Sequence, residues 1–369
     1  MRAGWNKATL GTLCKIYQPQ TLTLKELDPN GIYDVFGANG VIGKHSQYNH
    51  ENCELLMGCR GSCGALNFSS PFAWINGNAM VIHPIKEIVS KEYLRYYLES
   101  IDKHLIISGT TIPQITAKSL SPLIIDYPST TEQQRIVGIL DQEFARIDAL
   151  KANAEKSLHA AKDLFQAALR KELEPKEGWS NTRMDEICHI TAELIDPTQP
   201  EYLHQIHIGG ANIEAETGVL LDLKTAEEEK LISGKFPFDE TMVLYSKIRP
   251  YLKKICCPTF QGICSADIYP LTPLPGIDRT FLYYILLSQD FTDYAILGSA
   301  RAGMPKVNRP YLFAYTCAIP EYKEQCAIGN RLNTIREKAI SLQNNYQKTL
   351  TLCDDLKQAL LRKAFNGKL

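Results

Sequence analysis

The chain has 369 residues, of which 44% are apolar and 22% charged, and this is ordinary for a globular protein of two or three domains. Its formal net charge of -1 excludes a generally basic coat for nucleic acid but leaves room for a basic face. No run of about 18 apolar residues occurs and the N-terminus lacks an uninterrupted apolar core, so we expect no membrane segment.

The eleven cysteines are spread without a paired framework, which predicts reduced thiols and a cytoplasmic protein. Cys53, Cys59 and Cys63 lie close together in the sequence. The CxxC pairs of a zinc ribbon are missing, however, and no histidine has a suitable spacing. We therefore expect no metal.

Residues 1–127 form the first predicted globular block. Asn39-Gly40 between apolar runs predicts a tight turn between two strands. A glycine-rich turn carrying Arg60 interrupts the next strand. The segment SKEYLRYYLESI (90–101) has a helical period, and the polar loop GTTIPQI (109–115) precedes a last strand, LIIDYP.

Residues 128–175 are predicted to form one long helix, which returns at the C-terminus as an internal repeat at an offset of 192. Glu132-Gln133 falls on Glu324-Gln325, and the register continues without a gap for more than forty residues. In both copies apolar and small residues recur every 3.6 residues on average, which is typical of a helical stripe. The stripe consists of Ile136, Leu140, Phe144, Ile147, Leu150, Ala154, Leu158, Ala161, Phe165 and Ala168, and of Ile328, Leu332, Ile335, Ala339, Leu342, Tyr346, Leu350, Cys353, Leu356 and Leu360.

Residues 176–319 repeat the order of the first block. Gly178-Trp179 answers Gly4-Trp5 at an offset of 174, whereas the loop at 302–307 repeats the first block at an offset of 192. The second block therefore holds about eighteen extra residues in its middle. Residues 320–369 then form the second long helix.

The order block, helix, block, helix predicts a mixed α/β (α+β) fold of two similar globular domains. The second helix has the same stripe to bury as the first, and the simplest solution is an antiparallel coiled coil with a pseudo-two-fold axis. Each helix would be about 60 Å long. Two similar but non-identical heads at a fixed separation suit a bipartite, asymmetric site on duplex DNA, whose turns repeat every 34 to 36 Å or so.

These features resemble the specificity subunit of Type I restriction-modification systems. The EQxxI helix starts, the Gly-Trp openers and the elements RGSCG, YSKIRPYLKK and GTTIPQI carry the resemblance, which covers essentially the whole chain. It implies that residues 1–127 and 176–319 are target recognition domains, each reading half of a split site, and that the two helices set the spacer. The implied partners are double-stranded DNA, two N6-adenine methyltransferase subunits that bind the helices, and restriction subunits that join this complex.

The candidate DNA contacts lie in turns and loops. Arg60 and Arg249 sit at the turns of strand pairs, where a guanidinium fork could reach a phosphate or a guanine edge; the alternative is a solvated arginine. The matching loops before the final strands could contact backbone and bases or could pack on their own domains. These loops contribute Thr110, Thr111 and Gln114 in the first half and Arg301, Lys306 and Asn308 in the second.

Basic residues cluster locally in the second block. One cluster has four basic residues within eight positions, namely Lys247, Arg249, Lys253 and Lys254. A second has three within nine positions, namely Arg301, Lys306 and Arg309. Lysines of this kind suit phosphates rather than base edges. The expected phosphate contacts are Lys44, His45, Lys247, Lys253 and Lys254. Glu132-Gln133 and Glu324-Gln325 allow two interpretations. They can stabilise the start of each helix through the helix dipole, or they can contact a methyltransferase.

Catalysis by this chain is not expected. Asp222, Glu228 and Lys230 loosely imitate the carboxylate set of metal-dependent nucleases but lack the apolar strand that would align them. The sequence also contains no phosphate loop, no NPP[YF]-type methyltransferase motif and no nucleophile elbow, and we expect no cofactor. The alternative function is a freestanding two-headed DNA-binding or protein-interaction scaffold with a coiled-coil spacer.

Overall fold

The computed structural model describes residues 4–85, 87–109, 113–299 and 305–369. The chain divides into two compact units. Unit 1 comprises Met1–Glu155 with Gln347–Leu369, and unit 2 comprises Lys156–Tyr346. Both long helices cross this division, so each unit contains one segment of each helix.

Unit 1 combines short strands with helices, and its buried apolar side chains form two clusters. Its elements are β1 (Asn6–Thr9), α1 (Leu10–Leu13), β2 (Cys14–Tyr17), β3 (Tyr33–Gly37), β4 (Gly40–His45), β5 (Leu55–Gly58), β6 (Leu66–Phe68), β7 (Trp74–Ile75), β8 (Ala79–Pro84), α2 (Lys91–Ser100), α3 (Ala117–Leu120), β9 (Ile124–Tyr127) and the first part of α4 (Thr130–Glu172).

Three sheets organise unit 1, with strand orders β2-β8-β5-β6, β4-β3-β7 and β1-β9. The predicted turn joins β3 to β4, and Gly40 has the positive φ of 93° that glycine adopts without strain. The helix predicted at 90–101 is α2, whose N-terminus is capped by Ser90 Oγ accepting from Tyr93 N. Because β5 is buried along its whole length, it reads as a continuous apolar run.

Unit 2 repeats this plan with additional elements. They are β10 (Ser180–Arg183), β11 (Cys188–His189), β12 (Ile206–Ile208), β13 (Lys224–Thr225), β14 (Lys235–Phe238), β15 (Val243–Ser246), β16 (Ile255–Cys256), β17 (Gly262–Ser265), β18 (Ile268–Pro273), α5 (Arg279–Leu287), α6 (Gln289–Ser299), α7 (Arg309–Phe313), β19 (Thr316–Ile319) and the first part of α8 (Tyr322–Phe365).

The strand pairing supports the internal repeat. In unit 1, β1 pairs with β9 antiparallel with Asn6 opposite Tyr127, and in unit 2 β10 pairs with β19 with Ser180 opposite Ile319. These partners are related by the two offsets found in the sequence, 174 and 192. The sheet β11-β18-β15-β16 likewise matches β2-β8-β5-β6. The mixed α/β class and the repeated block are therefore confirmed.

The two long helices are confirmed as α4 and α8, and within each unit their segments run antiparallel. In unit 1, Lys151 contacts Asp354 at 2.8 Å and Lys357 contacts Asp148 at 2.5 Å, so residue numbers rise along one helix as they fall along the other. In unit 2, Arg331 contacts Glu172 at 2.7 Å.

The predicted apolar stripe is buried only in part. Ile136, Leu140 and Ile328 pack in the cores of their units. The prediction is wrong at three positions, because Leu150, Leu342 and Leu356 are 57%, 38% and 47% exposed. Two paired helices cover a narrow seam, and the wider stripe is buried only where a globular block also packs on it. Among the described residues, no helix is both long and apolar enough to cross a bilayer.

Candidate nucleic-acid interface

Arg60 and Gln114 are brought together where the turn after β5 meets the loop before α3. The two residues form an antiparallel bridge, and Ile115 N donates to Cys59 O at 3.0 Å. Ser108 and Gln114 exchange two backbone hydrogen bonds of 2.8 Å, which hold the loop. The Arg60 side chain is exposed and has no hydrogen bond or ion pair within the described ranges. We call this site junction 1.

Lys247 and Lys306 meet at the equivalent site of unit 2, which we call junction 2. Val307 N donates to Lys247 O at 2.9 Å, as Ile115 N does to Cys59 O in unit 1. Ile248 and Lys306 form the bridge that Arg60 and Gln114 form in unit 1. The two junctions therefore share a backbone framework and differ in side chains.

Positive charge accumulates at junction 2 around a single carboxylate. Asp267 lies 3.4 Å from Lys247 Nζ and 3.9 Å from Lys306 Nζ. Burial lowers the pKa of Lys247, and the charge of Lys306 lowers it further, while Asp267 acts in the opposite direction. One carboxylate shared by two lysines leaves the site with a net positive charge, which attracts phosphate.

Arg309 adds a third cation to junction 2. Its guanidinium carbon lies 5.5 Å from the centroid of the Phe236 ring and 5.7 Å from that of Tyr269. Sequence reasoning counted Arg309 in a basic cluster but did not place it among the contacts. Its two aromatic partners are distant in the sequence, so local pattern gave no signal of them.

Arg249 lies beside junction 2 in a strained turn. Its backbone has a positive φ of 51°, and Arg249 N donates to Pro305 O at 2.9 Å. The side chain is exposed. This turn is equivalent to the turn that carries Arg60. Arg249 itself lies one residue beyond Ile248, which is the position equivalent to Arg60.

Lys253 and Lys254 are directed elsewhere. Lys253 is buried, donates to Gln289 Oε1 at 2.8 Å and lines a cavity of about 1000 Å³ within unit 2. Burial lowers the pKa of Lys253. Lys254 Nζ donates to Gly210 O. Both amines therefore already serve the fold, and their DNA contacts remain predictions.

Lys44 and His45 lie at the end of β4 away from its turn. Lys44 Nζ is 2.6 Å from Asp34, and this contact is the main cause of a lowered pKa of Asp34. The His45 ring accepts a hydrogen bond from Gln47 N at 3.0 Å and lies 5.0 Å from the Trp74 ring. The structure does not place them at junction 1.

Asn308 caps α7, since its Oδ1 accepts from Tyr311 N at 2.9 Å. Thr116 caps α3 in the same way at 3.1 Å to Ser119 N, so the caps belong to the repeated framework. The remaining candidates, Thr110, Thr111 and Arg301, lie outside the described residues.

The repeated glutamines lock each globular block to a long helix. Gln133 Nε2 donates to Ile88 O and Pro128 O at 2.7 and 2.9 Å, and its Oε1 accepts from Ser90 N at 3.0 Å. In unit 2, Gln325 makes three equivalent bonds. They join it to Gly276 O, Pro320 O and Asp278 N at 3.1, 2.9 and 2.8 Å.

Both glutamines are fully buried, so their repetition is explained by backbone groups that would otherwise lack partners. Sequence reasoning weighed a structural role for the Glu-Gln pairs through the helix dipole. The polar clamp on the neighbouring helix caps was missed.

The chain is similar to known proteins in sequence and in fold. Residues 2–159 match the family described as the Type I restriction modification DNA specificity domain. The Type I restriction enzyme EcoDI specificity subunit from Escherichia coli is 28% identical over 99% of this chain and 88% of its own length. A solved structure concerned with assembly and conformational transition of the type I R-M system is 18% identical, with a TM-score of 0.76 over 100% of this chain and 99% of that one. The HsdS subunit from Thermoanaerobacter tengcongensis is 17% identical, with a TM-score of 0.57 over 100% and 98%.

The duplicated α/β units and their paired long helices form a fold that these solved structures share. The family match, the full-length relative and the shared fold agree on one assignment. Residues 2–159 match the DNA specificity domain of Type I restriction-modification systems, and almost the whole chain is similar to a specificity subunit of such a system.

Proposed function

We propose that this chain is the specificity subunit of a Type I restriction-modification system and reads a split, asymmetric DNA site, with residues 1–127 and 176–319 as its two target recognition domains. The helical regions at 128–175 and 320–369 would carry the partner subunits. The observation that carries this proposal is the pair of junctions, because the same backbone hydrogen bond is surrounded by different side chains in the two units. A repeated scaffold with different reading groups suits two different half-sites.

The DNA partner is a duplex, contacted through polar and charged side chains at the junctions. Arg60 and Gln114 would contact the first half-site, and Lys247, Arg249 and Lys306 the second. Arginine forks suit guanine or phosphate, and lysines suit phosphate. Thr110, Thr111, Arg301 and Asn308 belong to the same loops, and Lys44, His45, Lys253 and Lys254 are kept as weaker candidates for backbone contacts.

Methyltransferase subunits would bind the helices in two copies. Leu150 and Leu342 occupy repeated positions and are both exposed, and so are Leu164 and Leu356, at 57% and 47%. These four leucines are distributed so that each unit has one of them on its α4 segment and one on its α8 segment. Because an exposed apolar pair is repeated, two copies of the same partner can bind in equivalent ways.

The helix register supports this pairing in unit 1. Leu150 lies between Asp148 and Lys151, and Leu356 lies between the ion-pair partners of these two residues on α8. Both leucines therefore occur in one short stretch of the antiparallel pair. Restriction subunits would join the assembled complex, and we place this complex in the cytoplasm, where DNA is accessible and the free thiols stay reduced.

Methylation mapping tests the proposal. The full chain is co-expressed with its cognate adenine methyltransferase, and the host DNA is read by methylation-sensitive sequencing. We expect adenine methylation at one split motif that is absent when the subunit is withheld. Finding no split motif would overturn the proposal.

Salt dependence separates this function from that of a protein-interaction scaffold. Binding of the purified complex to duplex DNA should weaken steeply as salt rises, because phosphate contacts release counterions. A scaffold held to its partner by apolar contacts would not respond in this way.

A further inference from the structure

We infer that Arg309 reads a guanine in the half-site recognised by unit 2, donating from its guanidinium to O6 and N7 of that base in the major groove. This inference rests on the proposed function, since it requires that junction 2 meets duplex DNA. It assigns a base-reading role to a residue that follows the predicted loop contacts Lys306 and Asn308.

The guanidinium of Arg309 is positioned before any DNA binds. Its carbon lies 5.5 Å from the Phe236 ring centroid and 5.7 Å from the Tyr269 ring centroid. Cations within about 6 Å of aromatic faces are attracted to them, so two rings restrict the arginine. A restricted side chain loses less conformational entropy when it binds a ligand.

The hydrogen-bond donors of Arg309 remain available. The residue is exposed, and in the described part of the chain no hydrogen bond or ion pair uses them. By contrast, Arg279 donates to Met242 O and Pro258 O, and Arg183 donates to Asp185. Contacts with aromatic rings leave the N–H groups of a guanidinium free to donate.

The backbone beneath Arg309 is fixed. Val307 N donates to Lys247 O at 2.9 Å, and Tyr269 Oη donates to Val307 O at 3.1 Å. Asn308, immediately before Arg309, is held as the cap of α7. Tyr269 therefore anchors the loop and also contacts the guanidinium, which couples the position of the fork to the sheet.

The surrounding charge would bring phosphate close to this fork. Lys247 and Lys306 share one carboxylate, that of Asp267, so the region around Arg309 is positive. Lysines can hold the DNA backbone while the arginine reaches a base. Lys306 and Arg309 are exposed and can reach DNA, whereas Lys247 is 8% exposed and its amine donates to Ala266 O.

Guanine is the base that matches a guanidinium fork. In the major groove it presents two acceptors, O6 and N7, whereas adenine presents one acceptor and one donor. In unit 1, Ala117 holds the first position of α3 as Arg309 holds that of α7. The inferred reading group is therefore specific to the second half-site.

The test uses the full complex and the split site found by methylation mapping. Guanines of the half-site assigned to unit 2 are replaced singly by 7-deazaguanine, which lacks the N7 acceptor. For the wild-type protein we expect one position at which affinity falls about tenfold or more. Arg309→Met, which keeps an apolar stem but loses both donors, should bind natural DNA at least as weakly as wild type binds that modified site, and its affinity should not change when the guanine is replaced.

Arg183→Met is the matched control, because Arg183 is an exposed arginine of unit 2 that pairs with Asp185. The affinity of this variant for DNA should stay unchanged. Three results would overturn the inference while leaving the split site intact. They are a half-site without guanine, wild-type affinity that no replacement alters, and an Arg309→Met loss equal for all sequences with a salt slope lower by about 1, which marks a phosphate contact. The wild-type measurement can overturn the inference even if the variant fails to fold.

Discussion

Junctions 1 and 2 use one backbone framework for different side chains. Ile115 N and Val307 N make the same bond to the preceding strand turn, at 3.0 and 2.9 Å. The residues that accept these bonds are Cys59 in unit 1 and Lys247 in unit 2. The repeat therefore preserves the backbone contacts that hold the loop, while the side chains at the two junctions differ.

The buried clamp shows the opposite behaviour. Gln133 and Gln325 are identical and make the same three hydrogen bonds. Tyr96 Oη donates to Asp141 at 2.6 Å, and Tyr284 Oη donates to Asn333 at 2.7 Å, so another link between block and helix is also repeated. Interior polar groups without partners are costly, and this limits change where the helix meets the block.

The largest expected effect follows from removing the clamp. Gln325→Ala leaves the backbone of Asp278 and Gly276 without partners and should lower the free energy of unfolding by about 3 kcal/mol. Gln133→Ala should cost a similar amount, as measured by urea unfolding. Gln347→Ala, at an exposed position of α8, is the control and should change stability little. Unequal losses of unfolding free energy for the two variants would contradict the equivalence of Gln133 and Gln325.

The next effect concerns partner number. Leu150→Glu should remove one methyltransferase copy and Leu342→Glu the other, because a charge would be placed in each apolar contact. Native mass spectrometry of the assembled complex measures this directly. Leu352 is also exposed but its repeat partner is Ala160, so Leu352→Glu should leave both copies bound. Loss of both copies from either single variant would contradict two equivalent sites.

A smaller effect tests the difference between the junctions. Lys306→Gln places the residue of junction 1 in junction 2 and should weaken binding to all sequences about fivefold, with the salt slope reduced by about 1. The reverse change, Gln114→Lys, should strengthen binding by a similar factor. Titrations at several salt concentrations measure both, and unchanged slopes would remove Lys306 from the interface.

The smallest effect is expected from Arg249→Ala, which removes one exposed cation beside junction 2. Affinity for DNA should fall about threefold, the scale of a single screened phosphate contact. Fluorescence anisotropy at low salt is sensitive enough to detect it. A wild-type affinity in this variant would exclude Arg249 from the residues that contact DNA.

Much of the fold could be predicted because its signals are local or repeated. The helical period and the constant offset of 192 located α4 and α8, and the loop before β9 was found by the same offset. Arg60 and Gln114 were named separately from a turn and a loop. Their meeting in one bridge depends on strand pairing across more than fifty residues.

The rest depends on side-chain direction and on distant partners. Lys253 looked like part of a basic face, but a left-handed backbone, with φ of 47°, accompanies a buried amine that reaches Gln289. The role of Arg309 required β14 and β18 to bring Phe236 and Tyr269 beside it. Contacts between residues that are distant in the sequence leave no local pattern, whereas the apolar stripe of a helix recurs every three or four residues.

The central claim, that each unit reads its own half-site, is tested most directly by exchanging one block. Residues 176–319 are replaced by the corresponding block of the Escherichia coli relative. The hybrid is co-expressed with the cognate methyltransferase of the present chain, and the DNA is read by methylation-sensitive sequencing. We predict that one half of the methylated motif changes and the other half stays the same. A motif that changes in both halves, or in neither, would contradict the claim.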